Sequence, residues 1–359
     1  MLQKSQVVNQ LLTKNNMWML QEPPLFFCPS YKTGTTFWGK TMEVLRRKDP
    51  NICSPFQVFD NYALQKQYLW SSEMLMNASK YKDINKILEE PLKFLFVRNP
   101  FHRLFSVYVD KLLAPNPFFW DFGAVAKYKF RGGYARGSAQ FPGDPTCGHD
   151  ITFDEFIKMV LIYRKDRHLK PISTLCEVCQ VRYDIVGKLE TFEQDVRYIL
   201  QKTGSLGNAI QFKDFQIETA VDTILYQVQR AFMLQEEWRR CLTKHTGMKR
   251  LWRQLQISGL IDKHDGYYLT SSESEKVAVA EYINMALEAF QRSSNHAKEN
   301  KHEAYLQAYS QLSIENLDQL RIVYLNDIKL FGYEDRPREL FELDRSEKYN
   351  FDFFDIMRE

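Results

Sequence analysis

Between the apolar run Leu25-Phe26-Phe27-Cys28 and the helical pattern of Phe37, Trp38, Thr41, Met42 and Leu45 lies Pro29-Ser30-Tyr31-Lys32-Thr33-Gly34-Thr35-Thr36. A loop of this composition between a strand and a helix suits an anion, because free backbone N–H groups and the helix dipole favour phosphate or sulfate there. Lys32 adds a point charge, Gly34 allows close backbone approach, and the hydroxyls of Thr33, Thr35 and Thr36 add donors. The plainer alternative is a loop selected only for tight turning and capping.

Two enzyme classes compete for this stretch. Gly34-Thr35-Thr36-Phe37-Trp38-Gly39-Lys40-Thr41 satisfies the phosphate-loop pattern of nucleotide hydrolases. In that register, however, Pro29 to Thr33 intervene between strand and first glycine, and Phe37 and Trp38 fall inside the phosphate cradle. The second apolar strand also ends in Arg98, where a nucleotide hydrolase would commonly offer a Mg²⁺-holding aspartate. The register that starts at Lys32 fits better.

These residues need elements to position them. Phe94-Leu95-Phe96-Val97 reads as a second strand, Asn99 as a cap, Pro100 as a first helical turn, and Phe101, Leu104, Phe105, Tyr108, Val109 and Leu112 as one face of a helix. Residues 114–150 hold six glycines and four prolines among many aromatics, and read as a mobile loop. Capping-box sequences follow at Thr152-Phe153-Asp154-Glu155 and Thr191-Phe192-Glu193-Gln194, the second after an extended Tyr183-Asp184-Ile185-Val186. From about 218 onward the pattern is mostly helical. Strands alternating with helices early in the chain imply an α/β fold with a central parallel sheet covered on both faces and ligands at the carboxyl ends of its strands.

Composition narrows the classes. The 359 residues carry 48 Lys and Arg against 45 Asp and Glu, a net charge of +3, so nucleic-acid binding through bulk charge is not indicated and an anionic ligand must be held locally. No apolar stretch approaches the 18 residues of a membrane span, and residues 1–24 have no signal-peptide core. Six cysteines are too few for a disulfide-built fold, although the Cys176/Cys179 pair and the sequon Asn77-Ala78-Ser79 are compatible with an oxidising compartment. Cys176, Cys179 and His168 lack a second ligand pair for zinc, so a disulfide or two buried thiols is the better reading of the cysteines.

Lys32-Thr33-Gly34-Thr35-Thr36-Phe37-Trp38 resembles the 5′-phosphosulfate loop of sulfotransferases, with Tyr31 in place of the common proline. Arg98, followed by Ser106 eight residues later, resembles the 3′-phosphate motif of the same enzymes. Further stretches narrow the resemblance to the carbohydrate sulfotransferases that include the HNK-1, chondroitin and dermatan 4-O and GalNAc 4-O enzymes. They are Arg103 to Lys111, His168-Leu169-Lys170-Pro171 leading to Leu175-Cys176-Glu177-Val178-Cys179, Gly187-Lys188-Leu189-Glu190-Thr191, and Tyr324 to Tyr333. Leu169 stands where the family prefers tryptophan, and the stretch from about 225 to 300 does not align.

The resemblance implies a P-loop-like three-layer fold with a largely helical C-terminal part. It divides the chain into residues 1–24 as an N-terminal segment or stem remnant, 25–335 as the sulfotransferase domain with a helical insertion at about 225–300, and 336–359 as a tail. It implies 3′-phosphoadenosine 5′-phosphosulfate (PAPS) as donor and no metal. Lys32 would act on the departing group, the amides of Thr33 to Thr36 on the 5′-phosphate, and Arg98 and Ser106 on the 3′-phosphate. His168, in the His-x-x-Pro segment, is the expected base ahead of His102 and His149. For Glu190 two roles stand side by side, capping the helix at Thr191 and catalysis. Lys127, Lys129, Arg131 and Arg136, with no acidic residue between 124 and 140, are the expected acceptor cations for a GalNAc- or uronic-acid-containing glycan. Placement in the Golgi lumen is expected, with a type II membrane anchor absent from this chain. The alternatives are a P-loop-type phosphotransferase and a catalytically inactive glycan-binding relative.

Overall fold

The computed structural model describes residues 17–58, 91–132, 147–293, 297–346 and 349–358; Asn77, Arg136 and most of the N-terminal segment lie outside them. One four-stranded sheet runs in the order β1 (Trp18–Leu20), β2 (Leu25–Cys28), β3 (Leu92–Val97), β4 (Ile185–Lys188). The helices used below are α1 (Thr35–Arg47), α2 (Pro100–Tyr108), α3 (Trp120–Arg131), α4 (Phe153–Ile162), α5 (Ile172–Leu175), α6 (Phe192–Lys202), α7 (Phe215–Met233), α8 (Lys244–Ile257) and α9 (Val279–Arg292). β2, β3 and β4 are parallel, with Cys28 opposite Leu95 and Val97 opposite Lys188, while β1 pairs antiparallel with β2. The mixed α/β fold with a mostly parallel sheet is the class expected from the sequence. The added strand β1 comes from the segment read as a stem remnant.

The chain divides into two compact units. The first comprises Met1–Arg103, Lys165–Thr219 and Asn326–Tyr333 and contains the sheet. Side chains alternate across a strand, so its near-continuous apolar runs bury two faces. Phe27, Phe94 and Phe96 pack with Phe37, Trp38, Met42, Val196 and Ile199 on one face, whereas Phe26, Cys28, Leu95 and Val97 pack with Ile172, Cys176 and Phe331 on the other. Asp327, buried, accepts the N–H groups of Ile172 at 2.6 Å and Ser173 at 2.8 Å, which satisfies the start of α5. This contact explains why the late segment 326–333 returns to the sheet.

Cys28 and Cys176 form a disulfide, and Cys179 is an exposed free thiol. The reading of Cys176 and Cys179 as a bonded or buried pair is therefore corrected. Cys176 points into the core against β2, while Cys179, three residues on, faces out.

The second unit comprises Leu104–Arg164, Ala220–Leu325 and Glu334–Glu359 and is helical among its described residues. Phe105, Tyr108, Phe153, Phe156, Tyr305 and Tyr309 form an aromatic core, and the buried Tyr108 hydroxyl donates to the Ile151 carbonyl at 2.9 Å. Asp110 and Arg230 form a buried ion pair, and Cys147 and Cys241 a second disulfide. α7, α8 and α9 fill about half of the stretch that did not align.

The loop expected over 114–150 is corrected within its described part, because α3 occupies Trp120–Arg131. Trp120 and Ala126 are buried on its inner face, and Arg131 in its last turn pairs with Glu155 at 2.6 Å. Glu155 lies outside the stretch, and within it the glycines and prolines dominated the sequence pattern.

Candidate active site

The three parallel strands deliver their carboxyl ends to one edge of the sheet, where Cys28 leads to the Lys32 loop, Val97 to Arg98, and Lys188 to Glu190. Ser30 anchors the loop: its hydroxyl donates to the Phe96 carbonyl of β3 at 2.7 Å. Thr33 and Thr35 donate their hydroxyls to the Ser30 carbonyl, each at 2.6 Å. The expectation that these two hydroxyls face an anion is corrected, since both are spent on bracing the loop. Thr36 is half-buried at the loop rim.

Lys32 and Gly34 both have left-handed backbone, with φ of 67° and 87°. For Gly34 no side chain would fit: a Cβ would come 2.5 Å from the Phe192 ring. α1 starts at Thr35 with Gly34 in the cap position and no side-chain cap bond, so the first-turn amides open onto the loop. Phe37 and Trp38 are buried in the core, and Lys40 is fully buried in the second turn of α1. The phosphate-loop register beginning at Gly34 is thereby disfavoured, because its lysine would have to sit at a helix start.

Arg98 is buried, and its Nη1 donates to the Lys32 carbonyl at 3.4 Å. The Arg98 guanidinium is thus brought to the backbone of the Lys32 loop from 66 residues away in sequence. Asn99 caps α2 as expected, its Oδ1 accepting from Phe101 N–H at 2.9 Å. Ser106 lies farther along α2, half-buried, past the point where the chain passes into the second unit.

Arg103 is a residue whose role the sequence did not disclose. It is 1% exposed, and its guanidinium donates to the carbonyls of Tyr31 at 3.1 Å, Lys170 at 2.8 Å and Arg167 at 3.1 Å. One fork thus joins the anion loop to the segment that carries His168. The imidazole of His168 lies against the Tyr31 ring with centroids 4.2 Å apart, and its Nδ1 is 2.8 Å from Asp166 Oδ1.

Glu190 does not cap α6. One of its oxygens accepts the Asn99 N–H at 3.0 Å and the other the Tyr333 hydroxyl at 3.1 Å. Thr191 instead donates to Asp195 at 2.6 Å. Burial, then the Glu190 charge, pushes the Tyr333 phenol well above its ordinary range, while Arg98 opposes the shift. Tyr333 also receives the Lys188 ammonium over its ring at 4.8 Å. Tyr333 and Lys188 are therefore neighbours of the site that sequence spacing alone did not single out.

The expected acceptor cations belong to the second unit. Lys127 meets Asp150 at 2.9 Å, Arg131 meets Glu155 and Asp150, and Lys129 is exposed. The carboxylates come from after residue 147, beyond the window whose lack of acids suggested a free basic surface. A cavity of about 170 Å³ lined by Val44, Arg47, Ile52 and Val58 lies toward the far end of α1, roughly 15–20 Å along that helix from the loop. It is separate from the strand ends.

A family model described as the sulfotransferase family matches residues 15–256, about two thirds of the chain. The chain belongs to the sulfotransferase family. It is 30% identical over 207 residues to carbohydrate sulfotransferase 11 of Danio rerio, covering 55% of each chain. To carbohydrate sulfotransferase 14 of Homo sapiens it is 28% identical over 179 residues, covering 49% of this chain and 43% of that one. To carbohydrate sulfotransferase 8 of Mus musculus it is 34% identical over 138 residues, covering 36% and 32%. The chain spans about half the length of the first of these relatives and less of the others. No solved structure matches. In this sulfotransferase-family chain the matched region contains the Lys32 loop, Arg98, Arg103 and His168.

Proposed function

We propose that the protein transfers a sulfuryl group from PAPS to a hydroxyl of a glycan, one containing GalNAc or uronic acid. The observation that carries this reading is the meeting of Arg98 with the Lys32 loop at the strand ends, where first-turn amides of α1 also converge. The site fits a donor with two phosphate groups, since it offers one anion cradle of backbone amides and a separate forked cation. PAPS supplies an activated sulfuryl group. Lys32 neutralises charge that grows on the oxygen between phosphorus and sulfur, and the amides of Thr33 to Thr36 hold the 5′-phosphate. Arg98 grips the 3′-phosphate, and the motif spacing assigns Ser106 a hydroxyl contact to the same group. His168 accepts the proton of the attacking hydroxyl. The chemistry needs no metal, because the chain supplies the cations.

The acceptor surface includes the exposed Lys129, with Lys127 and Arg131 as cations already shared with carboxylates and Arg136 outside the described residues. A lumenal Golgi setting is supported by two disulfides that close long stretches of chain, 148 and 94 residues apart in sequence, and the family resemblance adds a type II membrane anchor to that reading. Calorimetry with adenosine 3′,5′-bisphosphate tests the donor assignment. The reading expects micromolar-class binding by the wild type and weakened binding by Arg98→Ala; equal affinity in both removes Arg98 from the donor site.

A further inference from the structure

His168 is constrained from three directions. Asp166 Oδ1 accepts the His168 backbone N–H at 2.7 Å and faces its ring Nδ1 at 2.8 Å. Tyr31 covers the ring. The carbonyls of Arg167 and Lys170, on either side of His168, are both held by the buried guanidinium of Arg103. A simple turn closed by an aspartate would need the backbone contact alone. Here the same carboxylate oxygen also takes the ring, and the backbone on both sides is pinned.

A carboxylate only accepts hydrogen bonds, so Nδ1 carries the proton in this contact and the neutral ring has Nε2 as its basic nitrogen. We propose that Asp166 is a positioning residue that fixes His168 in the Nδ1–H tautomer, so that Nε2 serves as the base in sulfuryl transfer; this rests on the function proposed above. The acceptor hydroxyl oxygen forms its bond to sulfur as the bond from sulfur to the bridging phosphate oxygen breaks. The hydroxyl proton moves to Nε2, and the electron pair of the broken bond leaves on the bisphosphate, beside Lys32. Of the charged groups placed beside the ring, the Asp166 carboxylate favours the imidazolium, while the Arg103 guanidinium, held on the carbonyls of Arg167 and Lys170 that flank His168, opposes it.

The test uses the whole chain as wild type, Asp166→Asn, Asp166→Ala and His168→Gln. In Asp166→Asn the shape is kept and the charge removed. The acid limb of kcat/KM should move down by about one pH unit and kcat should fall about tenfold or more, with donor KM within about twofold of wild type. Nitrogen-15 NMR of histidine-labelled protein, with the His168 signals assigned by their loss in His168→Gln, should show Nε2 unprotonated at pH 8 in the wild type and the tautomer mixed in Asp166→Ala. An unmoved acid limb in Asp166→Asn, or an Nε2–H tautomer in the wild type, overturns the proposal. Retention of the acid limb by His168→Gln overturns it as well. If the wild type transfers sulfuryl to no acceptor, the proposed function fails and the catalytic role of Asp166 fails with it, while the NMR arm still reports the tautomer independently.

Discussion

In the proposed reaction Lys32 and Arg98 are assigned different work at the same loop, and their substitutions separate the two. Lys32→Ala removes a charge that matters most as the sulfur–oxygen bond breaks, so kcat should fall about 10²-fold or more with bisphosphate affinity reduced less. Arg98→Ala should act mainly on donor affinity, by about 2–4 kcal/mol for a lost charge-assisted fork. Steady-state kinetics beside calorimetry separate the two, and wild-type bisphosphate affinity in both variants would refute the assignment. In the second unit, burial, then the Arg250 charge, holds the His149 imidazole down at about 3 against an ordinary 6.5, outweighing the nearby Asp150 carboxylate. The unfolded chain then binds a proton between those values that the folded chain does not. The neutral ring's contribution is complete above pH 6.5 and is lost as pH falls toward 3, at up to about 1.4 kcal/mol per unit. Urea denaturation at pH 7.5 and 5 should show a larger loss for the wild type than for His149→Gln, and equal losses would contradict it.

At the scale of elements, Arg103 is the tie between the anion loop and the His168 segment. Arg103→Met strands three buried carbonyls, so it should cost about 2–4 kcal/mol of stability, measured by denaturant unfolding; a loss below about 1 kcal/mol would mean that the carbonyls find other donors. The strand-loop-helix units at Leu25 and Phe94 were legible in the sequence because apolar runs, turn residues and helical spacing are all local signals. So were the Asn99 and Thr152 caps, whose bonds to Phe101 and Glu155 span two or three residues. α3 was not, since its burial and the Arg131–Glu155 pair depend on chain that follows 15 or more residues later. The Cys28–Cys176 bond spans 148 residues and Glu190 reaches 143 residues to Tyr333, separations over which no local pattern exists. For the same reason Lys32 and Arg98 were legible only as residue types in a motif, while the inward turn of the Thr33 and Thr35 hydroxyls and the three-way grip of Arg103 required the fold.

For the whole molecule, the two disulfides and the sulfotransferase-family match bear on where the chain works and what it does. Expression of the full-length transcript in secretory cells should give Golgi staining and an endoglycosidase-sensitive mass at Asn77, and alkylation without reductant should modify two of the six cysteines, Cys53 and Cys179. A diffuse, unglycosylated product with six reactive thiols would refute the lumenal placement and leave the donor-site argument standing. Sulfuryl transfer at the Lys32 loop is measured as incorporation of sulfur-35 from labelled PAPS into desulfated chondroitin, desulfated dermatan and N-glycan acceptors, by wild type and Lys32→Ala side by side. Label is expected on at least one glycan with the wild type, with a loss of about 10²-fold or more in the variant; transfer by neither, or undiminished transfer by Lys32→Ala, would contradict sulfuryl transfer at this loop.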